Sequence, residues 1–117
     1  SRPLRPKRIK MTTGEIASKV ITWCQMQMGL HCKVELRIGT SNELGCWGMS
    51  WEDEMVPNTY HMSIAEDQSL RDFVATVTHE MVHIHQWVKG KYWGDGEREA
   101  TKKQFRLADR VWKEGVI

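Results

Sequence analysis

The fold of this chain is decided by residues 69–90, which read SLRDFVATVTHEMVHIHQWVKG. Ser69, followed three residues later by Asp72, is typical of a capping box, so a helix is predicted to begin here. Gly90 is predicted to end this helix, because glycine readily adopts the left-handed conformation that closes a helix. Apolar side chains recur at helical spacing and predict one buried stripe, formed by Leu70, Phe73, Val74, Val77, Met81, Ile84 and Val88.

The segments around this helix predict a small α+β fold. Thr12 or Thr13 begins a helical pattern that Gly29 ends, and residues 97–113 predict a C-terminal helix. Between the first helix and residue 69, alternation of polar and apolar residues and the flanking turn residues predict three short strands. These strands are placed at residues 33–38, 46–51 and 60–65, with a turn at 39–45 and an acidic loop at 52–58.

Length and composition predict one domain at residues 12–117, preceded by a basic flexible arm at residues 1–11. The 117 residues leave no room for a second domain, and 40% hydrophobic and 27% charged residues are normal for a folded chain. No apolar run could cross a bilayer and no signal peptide is visible, so we expect a cytoplasmic or virion-associated protein with no membrane partner. Most tryptophans are expected to fill the core rather than line a cleft, namely Trp47, Trp51, Trp87, Trp93 and Trp112.

The charges are distributed unevenly along the chain. Residues 1–10 contain five Lys and Arg residues and no acid, whereas the rest of the chain contains 12 basic and 15 acidic residues. A basic arm of this kind can contact nucleic acid weakly, although most such arms are solvated tails. The three cysteines form no C-x-x-C pair, which argues against a disulfide framework and a zinc ribbon and favours a reducing compartment.

The central helix contains the sequence HEMVH at residues 79–83, an HExxH motif. His79 and His83 are four residues apart, so their imidazoles project from the same helix face and can bind one Zn²⁺ ion. Glu80 is offset around the helix and can act as general base on a water molecule. Both histidines lie away from the apolar stripe, so the core does not require them. The alternative interpretation is a pair of solvent-facing histidines that interact with nearby acids.

A catalytic zinc site needs a third protein ligand and an open position for water. Position 89 is a lysine, which excludes the metzincin extension, and no histidine follows His85. A carboxylate must therefore complete the site, and the downstream candidates are Asp95, Glu97, Glu99 and Asp109.

The pattern of the last helix favours Glu97 as the third ligand. Glu97 shares an inward-facing stripe with Ala100 and Gln104, whereas Glu99 lies on a charged outer stripe with Lys103. A carboxylate in a helix interface needs a partner, and a zinc ion would be one. Two alternatives stay open: Asp95 or Glu99 could be the ligand instead, or Glu97 could be an ordinary first-turn acid favoured by the helix dipole.

The HExxH helix followed by a helix that begins EREA, residues 97–100, resembles the gluzincin arrangement of zinc metallopeptidases in its smallest single-domain form. Residues 73–87 and the GKYWG loop at 90–94 are similar to short phage-encoded metallopeptidases, and the resemblance covers roughly residues 60–110. The resemblance implies a zincin-like fold, in which a small sheet with a substrate-binding edge strand covers the active-site helix. It also implies zinc ligation by His79, His83 and Glu97, with Glu80 as the catalytic base.

Two departures from related patterns bear on this interpretation. Thr101 stands where many gluzincins have Asp or Asn, so the partner that orients a zinc-binding histidine must come from elsewhere. SprT-like proteases share the size and the HExxH helix but use a third histidine that this chain lacks, so their repair of DNA–protein crosslinks is not carried over.

The sequence thus predicts a zinc-dependent metallopeptidase that acts on a peptide or protein, with Tyr92, His61 and His85 as candidates for stabilising the oxyanion. One alternative is a non-enzymatic nucleic-acid-associated or virion protein that binds through its basic arm. Another alternative is a zinc enzyme that hydrolyses a different amide, such as a cell-wall peptide.

Overall fold

The computed structural model describes residues 11–117, so the basic arm predicted for residues 1–11 lies almost wholly outside the described residues. The described chain has an α+β architecture of four helices and a three-stranded mixed sheet. Its elements, in chain order, are α1 (Thr13–Met28), β1 (Lys33–Gly39), α2 (Ser41–Leu44), β2 (Gly48–Glu52), β3 (Thr59–Ala65), α3 (Leu70–Lys89) and α4 (Glu97–Lys113).

The sheet has the strand order β1-β3-β2, with β1 parallel and β2 antiparallel to the central strand. Leu36, Met62 and Ser50 lie at the same level of the three strands and point to the face that is covered by helices. The opposite face carries the alternate residues, among them His61 and Trp51. Strand β2 is an edge strand within the described residues, because it pairs only with β3.

Helix α3 is the central element, and it packs against α1, α4 and the sheet. Its predicted start and end are confirmed: the Ser69 side chain accepts a hydrogen bond from the Asp72 backbone N–H, and Gly90 closes the helix at φ 67°. Most of the predicted stripe is buried, although Leu70 and Val88 at the two ends are 50% and 37% exposed. The end turns of the helix extend past the elements that cover its middle.

Two expectations about the rest of the chain are wrong. The predicted turn at residues 39–45 contains the one-turn helix α2, because Thr40 and Glu43 form a complete capping box. Trp47, Trp51, Trp93 and Trp112 are exposed rather than buried in the core. Trp47 and Trp51 lie in or beside the edge strand β2, whose outer face is not covered by a helix among the described residues. Trp93 lies in the loop before α4, and Trp112 lies near the end of α4.

The three cysteines are free, and Cys24 and Cys32 are buried. Burial raises the pKa of the Cys24 thiol to about 12. Among residues 11–117, none of the helices combines the length and the apolar character that crossing a membrane would require.

Candidate metal centre

Two histidines on consecutive turns of α3 form the base of the site. The ring centroids of His79 and His83 are 5.0 Å apart, and the rings are inclined at 73°. His83 is buried and also stacks on Trp87, with 5.9 Å between the ring centroids. Both Nε2 atoms face the beginning of α4, because the short loop after α3 brings that helix back alongside the same face.

The carboxylate of Glu97, the first residue of α4, bridges the two imidazoles. Its Oε1 atom lies 2.8 Å from His83 Nε2, and its Oε2 atom lies 3.0 Å from His79 Nε2. One ligand atom from each of these three residues lies within 4.8 Å of the others, so the group could hold a metal ion. The structure therefore brings together the three residues that were predicted as ligands.

Two of the other three candidate carboxylates are engaged elsewhere. Asp95 accepts a hydrogen bond from the Glu97 backbone N–H at 3.0 Å and so supports the start of α4. Glu99 accepts a hydrogen bond from Gln86 and pairs with Lys103 at 2.7 Å. Hydrogen bonds from Lys103 and Gln86 lower the pKa of the Glu99 carboxyl.

The predicted orientation of the two glutamates is wrong in one respect. The Glu97 side chain is 56% exposed, whereas the Glu99 side chain is 41% exposed. Glu97 is the first residue of α4, so its side chain reaches the histidines from the open end of the helix interface rather than from within it.

Two glutamine side chains hold the imidazoles in position. The Nδ1 atom of His79 lies 2.7 Å from Gln104 Oε1, and the Nδ1 atom of His83 lies 3.0 Å from Gln86 Oε1. An amide oxygen can only accept, so each Nδ1 must carry the hydrogen and each Nε2 is directed at Glu97. Thr101 is exposed, so the contacts that orient the two imidazoles come from the glutamines and not from this residue.

These contacts favour a cation between the histidines and Glu97. If Glu97 is ionised, each Nε2–carboxylate contact is a hydrogen bond only when that Nε2 also carries a proton, and the two adjacent, largely buried imidazoles would then both be charged. A single divalent cation bound to the two Nε2 atoms and the carboxylate satisfies the same three groups with neutral imidazoles. The donor set therefore fits a metal ion.

Gln86 links the two helices at this point, and it was not among the residues predicted from the sequence. Its side chain is fully buried, and its Nε2 atom donates to the Gly96 carbonyl at 3.0 Å and to Glu99 Oε1 at 2.8 Å. Gly96 has φ 79°, and a Cβ atom at this position would lie 2.0 Å from Gln86 Oε1. Only glycine satisfies both the left-handed backbone and this close approach. The available signal was a glutamine three residues after His83.

Glu80 lies beside the histidines, between α3 and strand β2. Its Oε1 atom accepts a hydrogen bond of 2.6 Å from the Ser50 hydroxyl. Burial raises the pKa of Glu80, while the Ser50 hydrogen bond and the nearby histidines oppose this shift. Strand β2 can approach α3 this closely because residue 48 is a glycine. A Cβ atom at this position would lie 2.4 Å from the Thr76 side chain. The sequence did not indicate Ser50, because its contact with Glu80 spans 30 residues.

The structure does not place the three oxyanion candidates together. His61 lies on the face of the sheet opposite α3, where it is 2.6 Å from Asp53 and stacks on Trp51. His85 lies two residues beyond His83 and therefore on a different side of α3. Tyr92 lines a separate groove on the outer side of α4.

No model of a known protein family matches this chain, and neither a curated protein nor a solved structure matches it.

Proposed function

We propose that this protein is a zinc-dependent metallopeptidase with a zincin-like fold, in which His79, His83 and Glu97 bind the metal and Glu80 is the general base. The observation that carries the proposal is the convergence of two Nε2 atoms and one carboxylate within 4.8 Å, next to a buried carboxylate. A purely structural ion pair would not need the additional carboxylate beside it.

The nature of the ligands supports zinc. Two imidazole nitrogens and one carboxylate oxygen are a ligand set found in catalytic zinc sites. The glutamine contacts at both Nδ1 atoms keep the Nε2 lone pairs available for a metal. When bound, a zinc ion supplies Lewis acidity, which lowers the pKa of water and polarises a substrate carbonyl.

Glu80 is suited to transferring a proton. Its buried carboxylate binds protons more readily than an exposed one, and the Ser50 hydroxyl holds one of its oxygens in position. The other oxygen can accept a proton from the attacking water. Glu80 can then deliver this proton to the amine that leaves when the peptide bond breaks.

The edge strand β2 offers a place for an extended substrate. It lies beside Glu80, and its outer edge is unpaired within the described residues. An extended peptide can add to such an edge through backbone hydrogen bonds, which bind a chain largely independently of its side chains. This arrangement favours a peptide or protein substrate, and it is equally compatible with the peptide of a cell wall.

The experiment that tests this proposal combines metal analysis with a peptidase assay on the wild-type protein and its variants. Glu80→Gln should lower hydrolysis about 100-fold or more, the usual contribution of a general base, while about one zinc ion per chain is retained. His83→Ala should lose the metal. Glu54→Gln is the matched control, because Glu54 is an exposed glutamate in the loop after β2, and it should leave both quantities unchanged.

Two results would contradict the proposal. If the wild-type protein binds no zinc even after reconstitution, the three ligand residues form an ion-pair cluster and not a metal centre. If Glu80→Gln retains full hydrolysis, Glu80 is not the base.

A further inference from the structure

Positive charge in the described part of the chain is concentrated at the end of α3, in the following loop and along α4. Residues 89–113 contain eight basic and four acidic residues, a formal net charge of +4. Residues 11–88 and 114–117 together contain four basic and eleven acidic residues, a formal net charge of −7. The molecule is therefore strongly polarised, although its overall net charge is +2.

These basic residues border a groove of about 750 Å³ between the α3–α4 loop and the outer side of α4. Three of them are spaced four residues apart on α4 and form a row about 12 Å long. The five cations that line the groove are Lys91, Arg98, Lys102, Lys103 and Arg106.

Most of this charge is not neutralised by the protein. Lys103 pairs with Glu99, the one acid in the groove. The other four cations form no ion pair within residues 11–117. An uncompensated row of this kind attracts a polyanion.

Two exposed aromatic rings lie in the same groove. Trp93 is 94% exposed and Tyr92 is 45% exposed, and they are adjacent in the loop before α4. A tryptophan this exposed makes almost no contribution to the core. Flat rings flanked by cations are the arrangement on which unpaired bases stack while the phosphates contact Lys and Arg.

We propose that this groove, formed by the α3–α4 loop and the outer side of α4, binds single-stranded nucleic acid. The combination of features favours this ligand over others, because an acidic peptide would use the cations but not the rings. A double helix keeps its bases stacked on each other and would leave the rings without a partner. The proposal places nucleic-acid contact in the folded domain and does not depend on the metal centre or on hydrolysis.

The test is a fluorescence anisotropy titration of a labelled oligothymidylate of about 16 nucleotides with the whole chain, repeated between about 50 and 200 mM salt. Trp93→Ala should weaken binding about five-fold or more at every salt concentration, since one base–aromatic stack is lost. Lys102→Gln with Arg106→Gln should also weaken binding and should reduce the slope of log affinity against log salt by about 1.4, from about 0.7 per phosphate contact.

The matched control is Lys19→Gln with Arg37→Gln, which removes the same charge from exposed positions on α1 and β1. This control should change neither affinity nor salt slope appreciably. Equal losses in the control and in the groove variants would overturn the proposal, because the effect would then follow net charge alone. Unchanged affinity in both groove variants, or equally Trp93-dependent binding to phosphatidylserine vesicles, would also overturn it. Far-ultraviolet circular dichroism establishes that each variant is folded.

Discussion

Replacing Gln86 by methionine removes the hydrogen bonds that Gln86 makes to the start of α4, while preserving the length of the side chain. In the native structure the Gln86 amide contacts His83 Nδ1, the Gly96 carbonyl and Glu99 at 2.8–3.0 Å. A thioether at this position cannot donate a hydrogen bond and accepts one only weakly.

The expected loss of stability follows from which partners stay buried. His83 and Gly96 are both buried, so the Nδ1–H group and the carbonyl would lose their partners without access to water. Each such group costs about 1–3 kcal/mol, whereas the partly exposed Glu99 can be rehydrated. We therefore expect Gln86→Met to lower the free energy of unfolding by about 2–6 kcal/mol.

The assay is urea unfolding of the chelator-treated protein, since bound metal would otherwise add to the measured stability. Gln104→Met is the matched control. Gln104 is only half-buried and makes a single side-chain contact, to His79, so its replacement should cost about 1 kcal/mol. In a separate zinc titration, both variants should bind the metal about 10- to 100-fold more weakly, because each loses the contact that orients one imidazole.

Equal losses of stability in the two variants would refute the view that Gln86 holds the two helices together. A loss below about 1 kcal/mol in Gln86→Met would refute it as well, because it would mean that the buried groups find other partners. Unchanged zinc affinity with the expected loss of stability would restrict Gln86 to a role in folding.

Three further predictions concern other parts of the molecule. Gly48→Ala should lower the unfolding free energy by about 1–3 kcal/mol, because the added methyl group overpacks against Thr76. In a double variant, Thr76→Ser removes the clashing methyl group and should restore most of this loss. Equal stability of Gly48→Ala and wild type in urea unfolding would contradict this prediction. A hydrogen bond from His61 lowers the pKa of Asp53 from 3.8 to about 2, so the stabilisation by Asp53 is complete above pH 3.8 and is lost as the pH falls toward 2. Circular dichroism during acid titration should therefore show a smaller loss of stability over this range in Asp53→Asn than in wild type, and identical curves would argue against the contact. Burial raises the pKa of Cys24 to about 12, so iodoacetamide at pH 9 should modify this thiol only after the protein unfolds. Mass spectrometry detects the modification, and rapid modification of the native protein would show that the thiol is accessible.

Local patterns predicted much of the fold because they depend on residues that are near each other in the sequence. The cap at Ser69, the glycine at Gly90 and the apolar spacing between them were sufficient to place α3. The three strands also lie within two residues of their predicted positions. The one-turn helix α2 was missed because its capping box lies in a segment that is otherwise rich in turn residues.

The candidate site was only partly readable from the sequence. The spacing of His79 and His83 placed both imidazoles on one helix face, and the absence of later histidines reduced the choice of a third ligand to a few carboxylates. The periodicity of α4 indicated Glu97 but predicted too much burial for its side chain, because periodicity does not reveal where one helix ends relative to the helix against which it packs.

Local sequence was sufficient to predict helix α3, the strand positions and the residues able to bind a metal, since backbone caps and side-chain periodicity are local properties. The groups that surround these residues became visible only in the folded molecule. They are Gln86 and Gln104 on the imidazoles, Ser50 on Glu80, and exposed tryptophans at the edge strand and in the α3–α4 loop. These contacts depend on how α4 and β2 pack against α3. That packing is set by the fit of the whole core, and no short stretch of sequence encodes it.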